Sequence, residues 1–222
     1  MSIDNRYKLT IVSNKSSWVS EYVAKLECYF KQLGHYVSHV FDINDVECGD
    51  FAFYLSCEQI AGKGILSRNK HNLVVHPSGL PHGRGWSPLA WQILEGADSI
   101  IVTLFEATEK VDRGDIYLQH PVQFRGNELI DELHKTQGEV SINLCLKFVE
   151  EYPRILLQRR KQLGVASYYS RRCPKDNELN IDKSLREQFN LFRIADNEKY
   201  PAHFTLDGQT YILKIYREEE SE

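Results

Sequence analysis

The chain has 222 residues, of which 42% are hydrophobic and 26% charged, a composition typical of globular proteins rather than of disordered ones. Its 27 basic and 31 acidic residues give a net charge of −4, which argues against nucleic-acid binding driven by bulk charge. No apolar run approaches the ~20 residues of a membrane span, and residues 1–6 lack the apolar core of a signal peptide, so we expect a cytoplasmic protein with no membrane partner.

Short apolar segments alternate with helical ones over the first part of the chain. Strands are predicted at 8–13, 35–41, 51–56 and 72–76, a helix from a cap at Ser16 or Ser17 to about Leu33, where Gly34 ends it, and a short helical connector near 58–67. Strands that alternate with helices in this way predict a parallel sheet covered by helices. Their continuous apolar runs suit strands that are buried on both faces.

Strands and helices continue to alternate in the next part of the chain, and an irregular segment follows them. A helix is predicted at 87–94, strands at 99–105 and 115–119, a largely helical stretch from 127 to about 162 that Pro153 kinks or breaks, an irregular segment at 167–174, a short helix at 185–194, and a hairpin of 203–206 with 211–216. We therefore predict an α/β fold, with a mostly parallel twisted sheet and helices on both faces. Residues 1–162 form its main domain and residues 163–222 a small C-terminal subdomain.

The sequence lacks the signatures of several common sites. The loop after the first strand, SNKSS at 13–17, has no Gly-x-Gly and no Walker sequence, so neither a dinucleotide nor ATP is expected there. The five cysteines form no C-x-x-C pair and are odd in number, which indicates free thiols. No metal site is expected.

The most informative segment is HPSGLPHGRGWSP at 76–88, between a predicted strand and a predicted helix. Open parallel sheets place their ligands at this edge, beyond the carboxyl ends of the strands. The three glycines and three prolines give the loop a defined shape, since each restricts or extends the backbone angles available. His76 ends the strand and can project into a crevice, or it can be a hydrogen-bonded histidine of a structural loop.

A second polar segment, EKVDRGDIY at 109–117, follows the next predicted strand. If the two strands are adjacent and parallel, Asp112 comes near His76. A carboxylate beside an imidazole fixes its tautomer and raises its basicity. Asp-x-Gly-Asp alone is more often a turn, and Asp115 is predicted as that turn residue.

Together, HPSxLP, the following Gly-x-Gly and proline, and VDxGDI resemble the folate-dependent formyltransferase family, over about residues 8–152. This family includes methionyl-tRNA formyltransferase and the sugar N-formyltransferases. The segment GRGWSPL, followed by VTLFEA, most resembles a subgroup that acts on nucleotide-linked amino sugars, as in the pseudaminic acid pathway. The segment QFNLFR at 188–193, with Tyr200-Pro201, extends this resemblance.

The resemblance implies a Rossmann-like formyltransferase catalytic domain at 1–162. It also implies 10-formyltetrahydrofolate as the formyl donor and a nucleotide-linked amino sugar as the acceptor, such as a UDP-linked 4-amino-4,6-dideoxy sugar. His76 and Asp112 match the catalytic histidine and aspartate of the family. The family's asparagine, two residues before the histidine, is Val74 here. A Ser78 hydroxyl, a loop N–H or protonated His76 is then expected to stabilise the negative charge on oxygen. Asn72 is too far back along the strand to substitute.

The remaining predicted contacts fall into two groups. The folate is expected to contact Ser78, Gly79, Leu80, Glu106, Thr108 and Val111. The sugar nucleotide is expected to contact Arg84, Trp86, Asn190 and Arg193. For Trp86 the alternative is core packing, and for Arg193 it is a surface ion pair. A basic cluster of Arg159 to Lys161 with Arg171 and Arg172 is interpreted as attracting a pyrophosphate or as a solvated helix end.

Two other functions stay open at this point. Formylation of initiator methionyl-tRNA is disfavoured by the net charge and by the small number of residues after Gln162. A catalytically impaired folate-binding or sugar-binding module is suggested by Val74.

Overall fold

The computed structural model describes residues 6–218. The central sheet holds six strands, β1 Lys8–Val12, β2 Tyr36–Val40, β3 Gly49–Tyr54, β4 Asn69–His76, β6 Ser99–Glu106 and β7 Ile116–Gln123. Two further pairs are β5 Arg84–Gly85 with β8 Tyr168–Tyr169, and β9 Ala202–Leu206 with β10 Gln209–Leu213. The helices are α1 Ser20–Gln32, α2 Lys63–Leu66, α3 Pro88–Leu94, α4 Ile130–Glu151 and α5 Phe189–Arg193. Most of the N-terminal segment 1–6, judged above for a signal peptide, lies outside the described residues.

The sheet has the order β2-β1-β3-β4-β6-β7. The first four strands in this order are parallel, while β4 pairs with β6 and β6 with β7 in antiparallel fashion. The predicted mostly parallel α/β fold is confirmed. The assumption that β6 runs parallel to β4 was wrong, since His76 pairs with Thr103 and Leu73 with Glu106. The connection between the two strands is long enough for either direction, so the sequence pattern does not decide it.

Helices cover both faces of the sheet because its strands are apolar on both sides. In β3, Phe51 and Phe53 point into the main core, which also holds buried residues of α1, α3 and α4. Ala52 and Tyr54 point the other way, into a smaller cluster that α2 completes. Helices α1 and α4 meet at Gly138, where a Cβ atom would lie only 2.5 Å from the Tyr22 ring.

The start of α1 differs from the prediction. The helix begins at Ser20, after a turn in which the Ser17 carbonyl accepts the Ser20 N–H at 3.1 Å, and its N-cap position is Val19 with no side-chain cap. The predicted caps at Ser16 and Ser17 were wrong because tertiary contacts hold this turn: Trp18 stacks on a histidine of α4 at 4.2 Å. Gly34 ends the helix as predicted, with a φ of +85°.

The C-terminal part was predicted in outline. Helix α4 ends before Pro153 and a 3-10 turn follows at 154–158, so the predicted helical stretch to about 162 was too long. The hairpin of β9 and β10 is confirmed, around a tight turn at Asp207 and Gly208 with positive φ at both. The predicted irregular segment at 167–174 contains β8. The domain division at 162/163 stays a prediction.

Among the described residues, no helix is long and apolar enough to cross a membrane.

Candidate active site

A cavity of about 640 Å³ lies at the carboxyl ends of β1, β3 and β4. Its walls are the loops that follow these strands, the segments 85–90 and 107–112, one face of α4 and parts of the C-terminal segment. Loops at this edge of a mostly parallel sheet commonly bind ligands, because the strands end there together and their side chains converge.

His76 lies on the cavity wall at the end of β4 and is 7% exposed. Its Nε2 lies 2.8 Å from the carbonyl oxygen of Gly83. A carbonyl can only accept, so Nε2 carries the hydrogen and Nδ1 holds the lone pair of the neutral ring. Nδ1 has no hydrogen-bond partner among residues 6–218. The imidazole can therefore accept a proton at Nδ1 without giving up its bond to the loop.

Asp112 lies beside His76, with Oδ2 3.9 Å from Nε2, and both side chains are about nine-tenths buried. The same oxygen accepts the N–H of Gly85 at 2.8 Å, which fixes the carboxylate. At this separation the carboxylate stabilises the imidazolium by charge rather than by a direct hydrogen bond. The structure thus brings the two predicted catalytic residues together, although not by the predicted parallel strands. The loop between β6 and β7 folds back toward β4.

The geometry of that loop depends on two residues. Asp112 itself has a φ of +52°. A Cβ atom on Gly114 would lie 1.5 Å from the Glu106 carbonyl oxygen, so no other residue fits at this position without a backbone shift. The Asp-x-Gly pattern of the sequence is therefore a requirement of the turn that presents the carboxylate.

The wall next to His76 is apolar where the family has an amide. Val74 lines the cavity. Asn72 does not replace the amide, as predicted, because its Nδ2 donates to the Leu66 carbonyl at 2.8 Å and its Oδ1 accepts from Tyr54 at 3.3 Å. The Ser78 hydroxyl is buried, has no partner in the described part of the chain and does not line the cavity.

Two N–H groups of the 76–88 loop that belong to cavity-lining residues are also engaged. Gly85 N–H donates to Asp112, and Trp86 N–H donates to the Tyr169 carbonyl at 3.2 Å. Of the donors considered from the sequence, protonated His76 and the N–H of Ser87, which has no hydrogen bond to the described residues, belong to residues that line the cavity.

Only part of the predicted folate contacts reach the cavity. Thr108 and Val111 line it, whereas Ser78, Gly79, Leu80 and Glu106 do not. Leu80 packs with Phe105 and Ile116, and Gly79 is covered by the Ile101 side chain. Glu106 belongs to a polar network: it accepts from the Asn72 N–H at 2.6 Å and from the Tyr117 hydroxyl at 2.8 Å, and it lies 3.1 Å from His71 Nδ1. The structure therefore places these four residues outside the cavity.

The predicted substrate contacts separate in the same way. Trp86 lines the cavity, and the Arg171 guanidinium lies over its ring at 4.8 Å. Arg84 is 8% exposed and does not line it. Asn190 and Arg193 are also remote: Arg193 is 1% exposed, lies 3.1 Å from Glu128, and donates to Asn190 Oδ1 at 3.1 Å. For Arg193 the ion-pair alternative is correct, except that the pair is buried.

The predicted basic cluster is split by the fold. Arg159 pairs with Asp115 at 2.9 Å, and Arg160 donates to Gln119 at 2.6 Å, both away from the cavity. Arg171 and Arg172 line the cavity, as do Lys15 and Lys199.

Arg172 is the unusual member of this set. Its Nη2 donates to neutral groups of Asp176 and Asn177, namely a backbone carbonyl and a side-chain amide, and its Nε is buried without a partner. Within the described range it has no carboxylate in an ion pair. Burial lowers the pKa of the Arg172 guanidinium. A partly buried cation with neutral hydrogen-bond partners is a site where an anionic ligand lowers the free energy.

Several cavity residues were not predicted from the sequence. His134 and Gln137 face it from α4, and burial lowers the pKa of His134 to about 4, so this ring is neutral. Two contacts hold the C-terminal segment across the opening: Arg171 pairs with Glu58 at 2.7 Å, and Lys199 donates to the Ser16 carbonyl at 2.7 Å. The spacing of His134 and Gln137, three apart on a helix, is the one local signal; the other contacts join distant parts of the chain.

The sequence model for formyl transferases matches residues 14–146, so the chain belongs to the formyl transferase family. It is 36% identical over 184 residues to the methionyl-tRNA formyltransferase of Coprothermobacter proteolyticus, covering 82% of this chain and 56% of that protein. The chain spans about half the length of the curated relatives it matches most strongly, apart from one relative of which it spans 24%.

Solved structures share its fold at low identity. A methionyl-tRNA formyltransferase from Clostridium thermocellum aligns with a TM-score of 0.78 at 19% identity, over 97% of this chain and 95% of that one. A sugar N-formyltransferase from Shewanella sp FDAARGOS_354 aligns at 0.71 and 16%, over 96% and 99%. HypX from Aquifex aeolicus in complex with tetrahydrofolic acid aligns at 0.82 and 18%, over 97% of this chain and 39% of that one. At these identities the likeness establishes the fold.

Proposed function

We propose that this chain transfers a formyl group from 10-formyltetrahydrofolate to the primary amine of a nucleotide-linked amino sugar. A UDP-linked 4-amino-4,6-dideoxy sugar, as in the pseudaminic acid pathway, is the first acceptor to test. The observation that carries the proposal is the pair formed by His76 and Asp112, which shares one cavity with the partly buried guanidinium of Arg172.

The residues present fit a folate. Val74, Phe105 and Val111 give the cavity an apolar wall, and the polar residue Thr108 lines it beside them. A flat pterin ring needs this combination of an apolar slot and a polar edge. When bound, the cofactor supplies a formyl carbon attached to nitrogen, which an amine can attack. The tetrahydrofolic acid complex of HypX, which has the same fold, supports this assignment.

His76 is assigned the proton transfer. The attacking amine must be neutral, and its nitrogen gains positive charge as the new C–N bond forms, so a base has to remove one proton. Nδ1 of His76 accepts that proton while Nε2 keeps its bond to Gly83, and the Asp112 carboxylate stabilises the imidazolium. Nδ1 then holds the proton that the departing nitrogen requires. After it has accepted this proton, the His76 ring would also stabilise negative charge on a formyl oxygen, in place of the missing amide at Val74.

The basic residues of the cavity support a nucleotide as part of the acceptor. A nucleotide-linked sugar carries a diphosphate, which Arg172 can bind with its Nη1 group, since this group has no hydrogen bond to the described residues. Arg171 also faces the cavity, and its stacking on Trp86 fixes the guanidinium in place. We assign the diphosphate to this side of the cavity and the amine to the side of His76.

The partial covering of the cavity by the C-terminal segment also supports a small acceptor over a tRNA. The contacts Arg171–Glu58 and Lys199–Ser16 hold the C-terminal segment over the opening, and the net charge of −4 opposes binding of a polyanion. Methionyl-tRNA is the second candidate, because the curated relatives carry that name.

A comparison of acceptors in separate reactions distinguishes the candidates. The chain is incubated with 10-formyltetrahydrofolate and either a UDP-linked amino sugar, charged initiator tRNA or no acceptor, and formation of tetrahydrofolate is followed by absorbance. We expect turnover with the sugar alone. Turnover with tRNA alone would reverse the assignment, and folate binding without turnover on either acceptor would indicate a binding module.

A further inference from the structure

Gln162 lies outside the cavity but contacts both loops that form the candidate active site. Its Nε2 donates to two carbonyls of the Asp112 loop, those of Asp112 at 2.9 Å and Gly114 at 2.8 Å. Its Oε1 accepts from Arg84 of the 76–88 loop, at 2.5 Å from Nη2 and 3.2 Å from Nε. One carboxamide thus uses both donor hydrogens on one loop and its acceptor on the other.

The two loops need such a connection because the pair they carry is loosely spaced. The carboxylate of Asp112 lies 3.9 Å from Nε2 of His76, and its contact with the other loop is a single backbone bond from Gly85. A shift of about 1 Å in either loop changes the charge interaction and the aim of the imidazole, and displacements of this size can lower a rate by about 10²-fold.

The segment that carries Gln162 is itself fixed against the same loops. Ile116 and Arg160 exchange two backbone hydrogen bonds at 2.8 and 2.9 Å. Ser167 accepts the Gly83 N–H on its Oγ at 2.8 Å, and Gly83 is the residue whose carbonyl bonds His76. The side chain of Gln162 therefore acts from a rigid base.

We propose that Gln162 is a positioning residue of the formyl transfer, which holds the Asp112 loop at the distance from His76 that catalysis requires. The inference rests on the proposed function. Gln162 touches neither substrate nor cofactor, and it acts through its two hydrogen bonds to the backbone of residues 112–114.

Two substitutions test the donor and the acceptor groups of the Gln162 carboxamide. Gln162→Glu keeps the acceptor for Arg84 and replaces the donors by an oxygen that faces two carbonyls. Gln162→Met, of similar size and neutral, removes both halves. We expect both variants to lower kcat at least about tenfold and to leave KM for sugar and folate within about threefold.

Tyr168→Phe is the matched control, because it removes the hydroxyl that accepts from Arg84 at 3.0 Å and from Arg113 at 2.9 Å but leaves all four bonds of Gln162. It should keep wild-type kcat. Wild-type kcat in both Gln162 variants would overturn the proposal. Wild-type kcat in Gln162→Glu alone would show that Gln162 acts through Arg84. A rise in KM with unchanged kcat would show that Gln162 contributes to substrate binding. Either result also overturns the proposal.

A second readout does not depend on turnover. Amide hydrogen exchange in peptides covering 107–115 should be faster in Gln162→Met than in the wild type or in Tyr168→Phe. If the wild type formylates no acceptor, the proposed function fails while this measurement still decides whether Gln162 holds the loop; unchanged exchange refutes the positioning.

Discussion

Replacing Asp112 by asparagine removes the charge beside His76 and little else. The amide has nearly the shape of the carboxylate, and its oxygen can still accept the Gly85 N–H that Oδ2 accepts at 2.8 Å. The variant therefore tests the charge rather than the shape of the loop.

The distance sets the size of the effect. Two unit charges about 4 Å apart interact by about 4 kcal/mol at an effective dielectric constant of about 20. The separation here is 3.9 Å and both side chains are about nine-tenths buried, so water screens the pair weakly. Since each ~1.4 kcal/mol is a factor of ten and the amide dipole retains part of the interaction, we expect kcat to fall at least about 10²-fold.

The assay is steady-state formylation of the amino sugar, with kcat and both KM values. KM for sugar and for folate should stay within about threefold, because Asp112 stabilises a charge that appears during the reaction. Asp115→Asn is the control: this carboxylate of the same loop pairs with Arg159, and an ion pair of this exposure contributes at most about 1 kcal/mol. A loss of kcat below tenfold in a folded Asp112→Asn variant would refute the electrostatic argument.

Three further predictions follow from the cavity. His76→Asn should lower kcat at least about 10²-fold with little change in folate affinity, since positioned acid–base groups contribute about 10²–10⁴. Arg172→Gln should raise KM for the sugar nucleotide about tenfold or more and change kcat little, because one charge-assisted bond to phosphate contributes about 1.5–3 kcal/mol. His134 has a pKa of about 4 in the folded protein, against an ordinary 6.5. As pH falls, this side chain is therefore protonated in the unfolded chain at a higher pH than in the folded one. Between pH 7 and pH 5, the free energy of unfolding should therefore fall about 2 kcal/mol more in the wild type than in His134→Phe. Urea titrations of both proteins at the two pH values measure this difference.

Each of these has an outcome that contradicts it. Near-normal turnover of His76→Asn would place the chemistry elsewhere. Equal effects of Arg172→Gln and Arg159→Gln on KM would show that general charge, rather than the cavity cation, attracts the nucleotide. The same pH dependence in His134→Phe and the wild type would mean that another group causes it.

Local patterns of the sequence predicted most of the fold. Apolar runs such as Phe51–Tyr54 identify a strand buried on both faces, because every residue of the run is apolar and the side chains alternate between two cores. The loop of 76–88 and the Asp-x-Gly turn identified His76 and Asp112, because each has a local backbone requirement that glycine and proline reveal.

Long-range contacts are what the sequence left undetermined. Nothing near Gln162 signals that it bonds a loop about 50 residues earlier. The basic cluster included Arg172, but the sequence did not show that Arg172 reaches the cavity while Arg159 does not. Conversely, Arg193 and Glu106 have residue types and positions that suit ligand binding, but the charged group of each contacts other residues of the protein instead. Buried polar residues must find partners wherever the fold provides them, and the tertiary fold decides whether the partner is protein or ligand.

The most direct test of the central claim follows the formyl carbon itself. The chain is incubated with 10-formyltetrahydrofolate labelled in the formyl carbon and a panel of UDP-linked amino sugars that differ in the position of the amine, and the products are identified by mass spectrometry and carbon NMR. The account predicts one sugar that carries the labelled formyl group as an amide, formed by the wild type and at least about 10²-fold more slowly by His76→Asn. Label found as free formate or on methionyl-tRNA, with every sugar unchanged, would contradict it.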